Sequence, residues 1–122
     1  MFIKNLLRDC PEFIAGDDTR LRELVNPLHD AGFPARYSLA HAIVESGKKS
    51  TPHKMLTSEV YYILEGQGRM HIENETADVG HGDMISIPPG ATQWIENIGN
   101  TPLAFLAIVD PAWKKEDEVV LQ

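Results

Sequence analysis

Apolar residues in this chain fall in short runs separated by glycine and proline: Tyr37 to Val44, Val60 to Leu64, Arg69 to Glu73, Met84 to Ile87, Thr92 to Glu96 and Leu103 to Val109. Between them sit Gly47, Pro52, Gly66, Gly68, Gly80, Gly82, Pro88, Pro89, Gly90, Gly99, Pro102 and Pro111. Many short β-prone runs at regular spacing, bounded by turn residues, predict an all-β sandwich or barrel rather than βαβ units. Thr19 to Val25 fits a first strand or a helical turn equally, and the tail from Ala112 to Glu118 reads as a short exposed helix or turn. No internal repeat, linker or low-complexity tract interrupts the pattern, so the expectation is one domain over 1–122 with a core barrel at about 19–110.

Alternation assigns faces within these runs, because successive side chains on a strand point to opposite sides. Met70 and Ile72 share one face and Arg69, His71 and Glu73 the other, which places His71 outside beside Glu73. Tyr61 and Ile63 share the face of Glu59. His41 alternates with Leu39 and Ile43, which predicts an inward face for it. Trp94 alternates with Gln93 and is expected to point away from it, toward the outer layer.

Composition removes whole classes of function. The chain has 18 acidic against 11 basic residues and a formal charge of −7, so it offers no clustered Lys/Arg for nucleic acid or anionic lipid. One cysteine, Cys10, excludes an internal disulfide and fits a reducing compartment. No apolar run approaches the roughly 18 residues of a membrane span, and the charged start is unlike a signal peptide. The cytoplasm is the expected location.

The chemistry concentrates in the middle of the chain. Gly47, His53, Glu59 and Gly66 stand in the run Gly47-Lys48-Lys49-Ser50-Thr51-Pro52-His53-Lys54-Met55-Leu56-Thr57-Ser58-Glu59, continued to Gly66. A second run from Gly82 to Asn97 contains Pro88, Gly90, Gln93 and Asn97. The first (47–66) resembles the first cupin motif and the second (82–97) the second cupin motif, with Met55 in place of one histidine and Gln93 in place of another. The two are separated by 15 residues, close to the spacer of compact cupins. The chain thus resembles the cupin superfamily, small single-domain barrels similar to mannose-6-phosphate isomerase-like cupins.

That resemblance implies an all-β double-stranded β-helix jelly roll. It also implies a metal set carried onto His53, Met55, Glu59 and Gln93, of which His53, Glu59 and Gln93 are the candidate ligands for a divalent transition metal (Mn, Fe, Ni, Cu or Zn). An amide and a thioether are poor substitutes for two imidazoles, so the expected affinity is reduced. Met55 equally suits packing of the barrel interior. Tyr61 and His41 are the candidate acid–base residues.

Three functions compete. The first is a metal-dependent small-molecule enzyme, an isomerase, epimerase or dioxygenase. The second is a metal-free cupin that binds a sugar or organic acid without catalysis. The third, a metal-independent enzyme using His53 and Glu59 as an acid–base pair, ranks last for want of a basic cluster around a nucleotide diphosphate. The expected partners are a small-molecule ligand and a second copy of the chain, since jelly rolls commonly bury a sheet face in a homodimer.

Overall fold

A computed structural model of the protein describes residues 3–121. Its strands are β1 (Glu12–Ile14), β2 (Arg20–Val25), β3 (Ser38–Val44), β4 (His53–Met55), β5 (Ser58–Glu65), β6 (Gln67–Ile72), β7 (Glu75–Gly80), β8 (Met84–Ile87), β9 (Gln93–Asn97), β10 (Leu103–Asp110) and β11 (Glu118–Val120). They form a six-stranded sheet in the order β1-β2-β3-β10-β5-β8 and a five-stranded sheet in the order β11-β4-β9-β6-β7. The run lengths and turn spacing predict an all-β sandwich or barrel, and this is the jelly roll that the cupin resemblance implies.

Alternation builds the core. On β5, Glu59, Tyr61 and Ile63 point inward and Tyr62 outward; on β10, Leu103, Phe105, Ala107 and Val109 point inward. These meet Ala42, Val44, Met70, Ile87 and Ile95 between the sheets. Each fully buried Ile or Phe contributes roughly 1.5–3 kcal/mol by leaving water, so this layer supplies most of the favourable free energy.

Two motif positions are explained by backbone geometry and hydrogen bonding. Gly66 turns β5 into β6 at φ 87°, and a Cβ there would lie 2.6 Å from the Pro102 carbonyl oxygen and 2.8 Å from the Leu103 Cα. Only glycine fits that contact and that dihedral. Asn97 is buried; its Nδ2 donates to the carbonyls of Val44 (2.9 Å) and Thr101 (2.7 Å), and its Oδ1 accepts from the Gly99 N–H (2.9 Å). It ties β3, β9 and the turn into β10 together.

Six runs read from the sequence appear as strands within a residue or two of the expected bounds, and Thr19 to Val25 resolves as a strand. Four strands were not anticipated. β7 is polar and largely exposed, so it carries no alternation signal; β1, β4 and β11 are three residues each. The tail reading is met in part: a 3-10 turn at Lys115–Asp117 leads into β11, which pairs with β4.

Candidate functional site

His53 opens β4 next to Gln93 on β9, the one residue pair joining those two strands. Its ring is 2% exposed. Nδ1 lies 3.0 Å from the Thr51 carbonyl oxygen, which can only accept, so Nδ1 carries the hydrogen and Nε2 faces the interior. Across the barrel, Glu59 and Tyr61 project inward from β5 toward Gln93. The Tyr61 hydroxyl donates to Gln93 Oε1 at 3.1 Å, and Gln93 Nε2 donates to Glu59 Oε1 at 2.9 Å. Because a phenol can donate and a carboxylate accepts, this relay fixes which way the amide points.

Burial dominates the electrostatics. Glu59 has its pKa pushed up to about 7 by loss of solvent; the Gln93 hydrogen bond and His53 oppose this, while Asp17 and Glu118 add to it. Tyr61 is held well above its ordinary value by burial and by Glu59, so it remains a neutral phenol. Glu118 is also raised, by burial first, against the pull of His53.

Asp17 and Glu118 were not singled out in the sequence, because both lie outside the two motif runs. Asp17 sits in a turn closed by the Ala15 N–H bond to the Thr19 carbonyl (2.8 Å), and its own carbonyl accepts from Thr51 N–H at 2.7 Å. Thr51 Oγ1 also bonds Asp18 Oδ2 at 2.9 Å. That clip brings the N-terminal segment over the barrel beside His53. Glu118 arrives from the opposite terminus through the pairing of β11 with β4. Asp17 Oδ2 and Glu118 Oε2 lie 3.7 and 3.9 Å from His53 Nε2. These groups share a cavity of about 70 Å³ with apolar walls from Leu21, Ala42, Phe105, Val109 and Trp113. One water needs roughly 10–15 Å³ of such space, so the cavity suits a ligand of a few heavy atoms.

The structure therefore brings His53, Glu59, Gln93 and Tyr61 together, and Met55 packs buried beside them. It does not bring His41 to them. Ala40 and Ala42 of β3 line the cavity, so His41 lies on the outer face with Leu39 and Ile43, where burial and Arg22 hold its pKa below the ordinary value. The inward reading failed because both faces of β3 carry apolar residues, and alternation alone does not say which is the core.

The outward reading of Trp94 agrees with its position. Trp94 stacks on His71 at 4.3 Å with the planes 7° apart. His71 pairs with Glu96 (2.7 Å) and Thr76 (3.2 Å) across neighbouring strands; Glu73 instead caps the Thr92 N–H.

A metal in the family's position needs several free donors on His53, Met55, Glu59 and Gln93. Here the Gln93 amide is held at both ends, by Tyr61 and Glu59, and Met55 offers only a buried thioether. Among the described residues no trio of His, Cys, Asp or Glu is placed to hold a metal ion. The family donor set does not fit a resident divalent metal.

Two facing sheets in a jelly roll, with polar side chains gathered between them, define a small β-barrel protein with a polar interior. The chain belongs to the cupin family: the cupin domain model matches residues 40–109. It is similar to an uncharacterized protein of Methanocaldococcus jannaschii, 45% identical over 111 residues, 90% of this chain and 87% of that one. It is also 41% identical over 51 residues to the oxalate-binding protein of Thermotoga maritima, 42% of each chain. Its fold matches a cupin 2 conserved barrel domain protein from Salinispora arenicola with TM-score 0.75 at 18% identity, covering 95% of this chain and 91% of that one.

Proposed function

We propose that this chain is a small-molecule-binding cupin whose pocket is a recognition site built on His53, Glu59, Gln93 and Tyr61, working without a resident metal. The observation that supports this reading is the relay Tyr61–Gln93–Glu59, in which the side chains at two of the family's ligand positions, Glu59 and Gln93, are hydrogen-bonded to each other and to Tyr61. Polar groups at the base of an apolar-walled cavity orient a ligand, and displacing water from the apolar walls drives it in. Mapping chemical shifts of labelled protein during titration with small neutral polyols and alcohols tests it. Shifts centred on Tyr61, Gln93 and Trp113 are expected; ligands that shift only surface residues would overturn it.

A second reading is carried by the carboxyl of Glu59, whose pKa of about 7 suits proton transfer at neutral pH. In that reading Glu59 exchanges a proton with a bound ligand, as isomerases and epimerases require, and Tyr61 with Gln93 holds the carboxyl in place. Glu59→Gln then retains binding while abolishing uptake of solvent deuterium into the ligand. Deuterium uptake undiminished in the variant would remove Glu59 from that role.

A further inference from the structure

The size and class of the ligand follow from the inner face of the six-stranded sheet, an inference that rests on the pocket reading above. The pairing registers set its inward side chains in rows. Glu23, Ala40, Ala107 and Tyr61 stand side by side on β2, β3, β10 and β5. The row on one side is Leu21, Ala42, Phe105 and Ile63, and the row on the other is Ser38, Val109 and Glu59. Protein interiors are close-packed and leave few spaces larger than one water. The Ala40–Ala107 pair is where this packing gives way, since only two methyl groups lie between Glu23 and Tyr61. Both alanines line the cavity of about 70 Å³, together with His53 and Met55 from the other sheet. At roughly 10–15 Å³ per water, that is space for about five to seven heavy atoms.

A polar anchor is set beside this space. Three hydroxyl side chains line the cavity: Thr19, Ser38 and Tyr61. Thr19 Oγ1 donates to Asp17 Oδ1 at 2.8 Å, and the Tyr61 hydroxyl donates to Gln93. Ser38 Oγ accepts from the Trp113 N–H at 2.9 Å, but its own hydrogen meets no acceptor among the described residues. Ser38 is 3% exposed, and a buried donor in that state is stabilised by an acceptor that a ligand brings in. No Lys or Arg lines the cavity, so an anionic group finds no counter-charge there.

We propose that the pocket takes a compact, uncharged molecule, a small ring or branched chain bearing one hydroxyl or carbonyl oxygen, with Ala40 and Ala107 setting its size and Ser38 donating to its oxygen. The hydrocarbon body lies on the alanine pair, flanked along β10 by Phe105 and Val109, and leaves water there. A larger side chain at either alanine occupies the same space. Valine is the apt replacement, because it suits a strand and its added methyls fill a cavity rather than a packed layer.

Titration of the full chain, followed by NMR of labelled alanine methyls and backbone amides, tests the proposal. The probes are cyclopentanol, cyclopentane, cyclopentanecarboxylate and the bulkier 1-adamantanol. Cyclopentanol is expected to shift Ala40 and Ala107, while the carboxylate and adamantanol leave them unmoved. Ala107→Val and Ala40→Val each weaken cyclopentanol at least about tenfold, and the ligand-free variants keep or raise the wild-type melting temperature. If one of them does not fold, the other decides. Ser38→Ala weakens cyclopentanol about fivefold and leaves cyclopentane unchanged, whereas a merely structural role for Ser38 would move both. Undiminished cyclopentanol binding in the valine variants, or binding of adamantanol or the carboxylate beside the alanines, would overturn the inference and leave the pocket reading standing. Equal weakening of cyclopentanol and cyclopentane in Ser38→Ala would overturn the anchor. If no probe shifts a cavity residue, the pocket reading fails as well.

Discussion

Replacing Glu59 with glutamine isolates the energetic consequence of burying a carboxyl among other acids. The new side-chain amide keeps an oxygen able to accept from Gln93 Nε2, so the relay to Tyr61 persists in the variant. What the variant loses is ionisation. In the folded protein Glu59 titrates at about 7 against 4.5 for the free side chain, a displacement worth about 3 kcal/mol.

The sign follows from proton uptake. Between those two values the folded chain holds a proton that the unfolded chain has released, so stability falls as pH rises. The contribution is fully present below 4.5, is lost through about 7 and is flat above it. Urea denaturation of both proteins at about pH 5 and about pH 8 reads the effect, with the difference between proteins cancelling other titrating groups such as Glu118. The variant is expected to gain up to about 3 kcal/mol on wild type over that interval. Parallel pH profiles for the two proteins would refute the burial argument.

Two other perturbations probe the frame around the site. Asn97→Ala removes three hydrogen bonds and leaves the carbonyl of the buried Val44 without its side-chain donor, so chemical denaturation should show a loss of about 2 kcal/mol, well above the cost of an exposed Asn→Ala change. The exposed Tyr62 and Met84 stand opposite each other on β5 and β8, on the outer face of the six-stranded sheet. If a second copy covers that face, sedimentation equilibrium will show a dimer at micromolar concentration and Tyr62→Lys will shift it to monomer; a monomeric wild type would contradict it.

The barrel was readable from sequence because its central strands obey two simple rules. β5, β9 and β10 alternate buried and more exposed positions along most of their length, and Gly66 and the Pro88–Gly90 corner mark where runs must stop. The motif spacing also carried His53, Glu59 and Gln93 to one place, and alternation placed Tyr61 beside them.

The remainder of the site depends on long-range pairing. Asp17 reaches His53 only because Thr51 clips its turn, and Glu118 only because β11 adds to β4. Three-residue strands and turns leave no periodic trace, so neither carboxylate could be found from pattern. Gln93 illustrates a different limit. Sequence shows an amide at a ligand position, but only the geometry shows both of its ends already engaged. His41 marks a third, where an apolar outer face imitates an inner one.

In the function proposed above, hydrogen bonding takes the place of metal ligation at the family's position in this barrel. Elemental mass spectrometry of tag-free protein tests it most directly, after incubation with Mn, Fe(II), Ni, Cu and Zn and removal of loosely held ions, with His53→Ala as the control. Far less than one metal per chain is expected in the wild type, with no difference in the variant. Near-stoichiometric metal that disappears with His53 would contradict it.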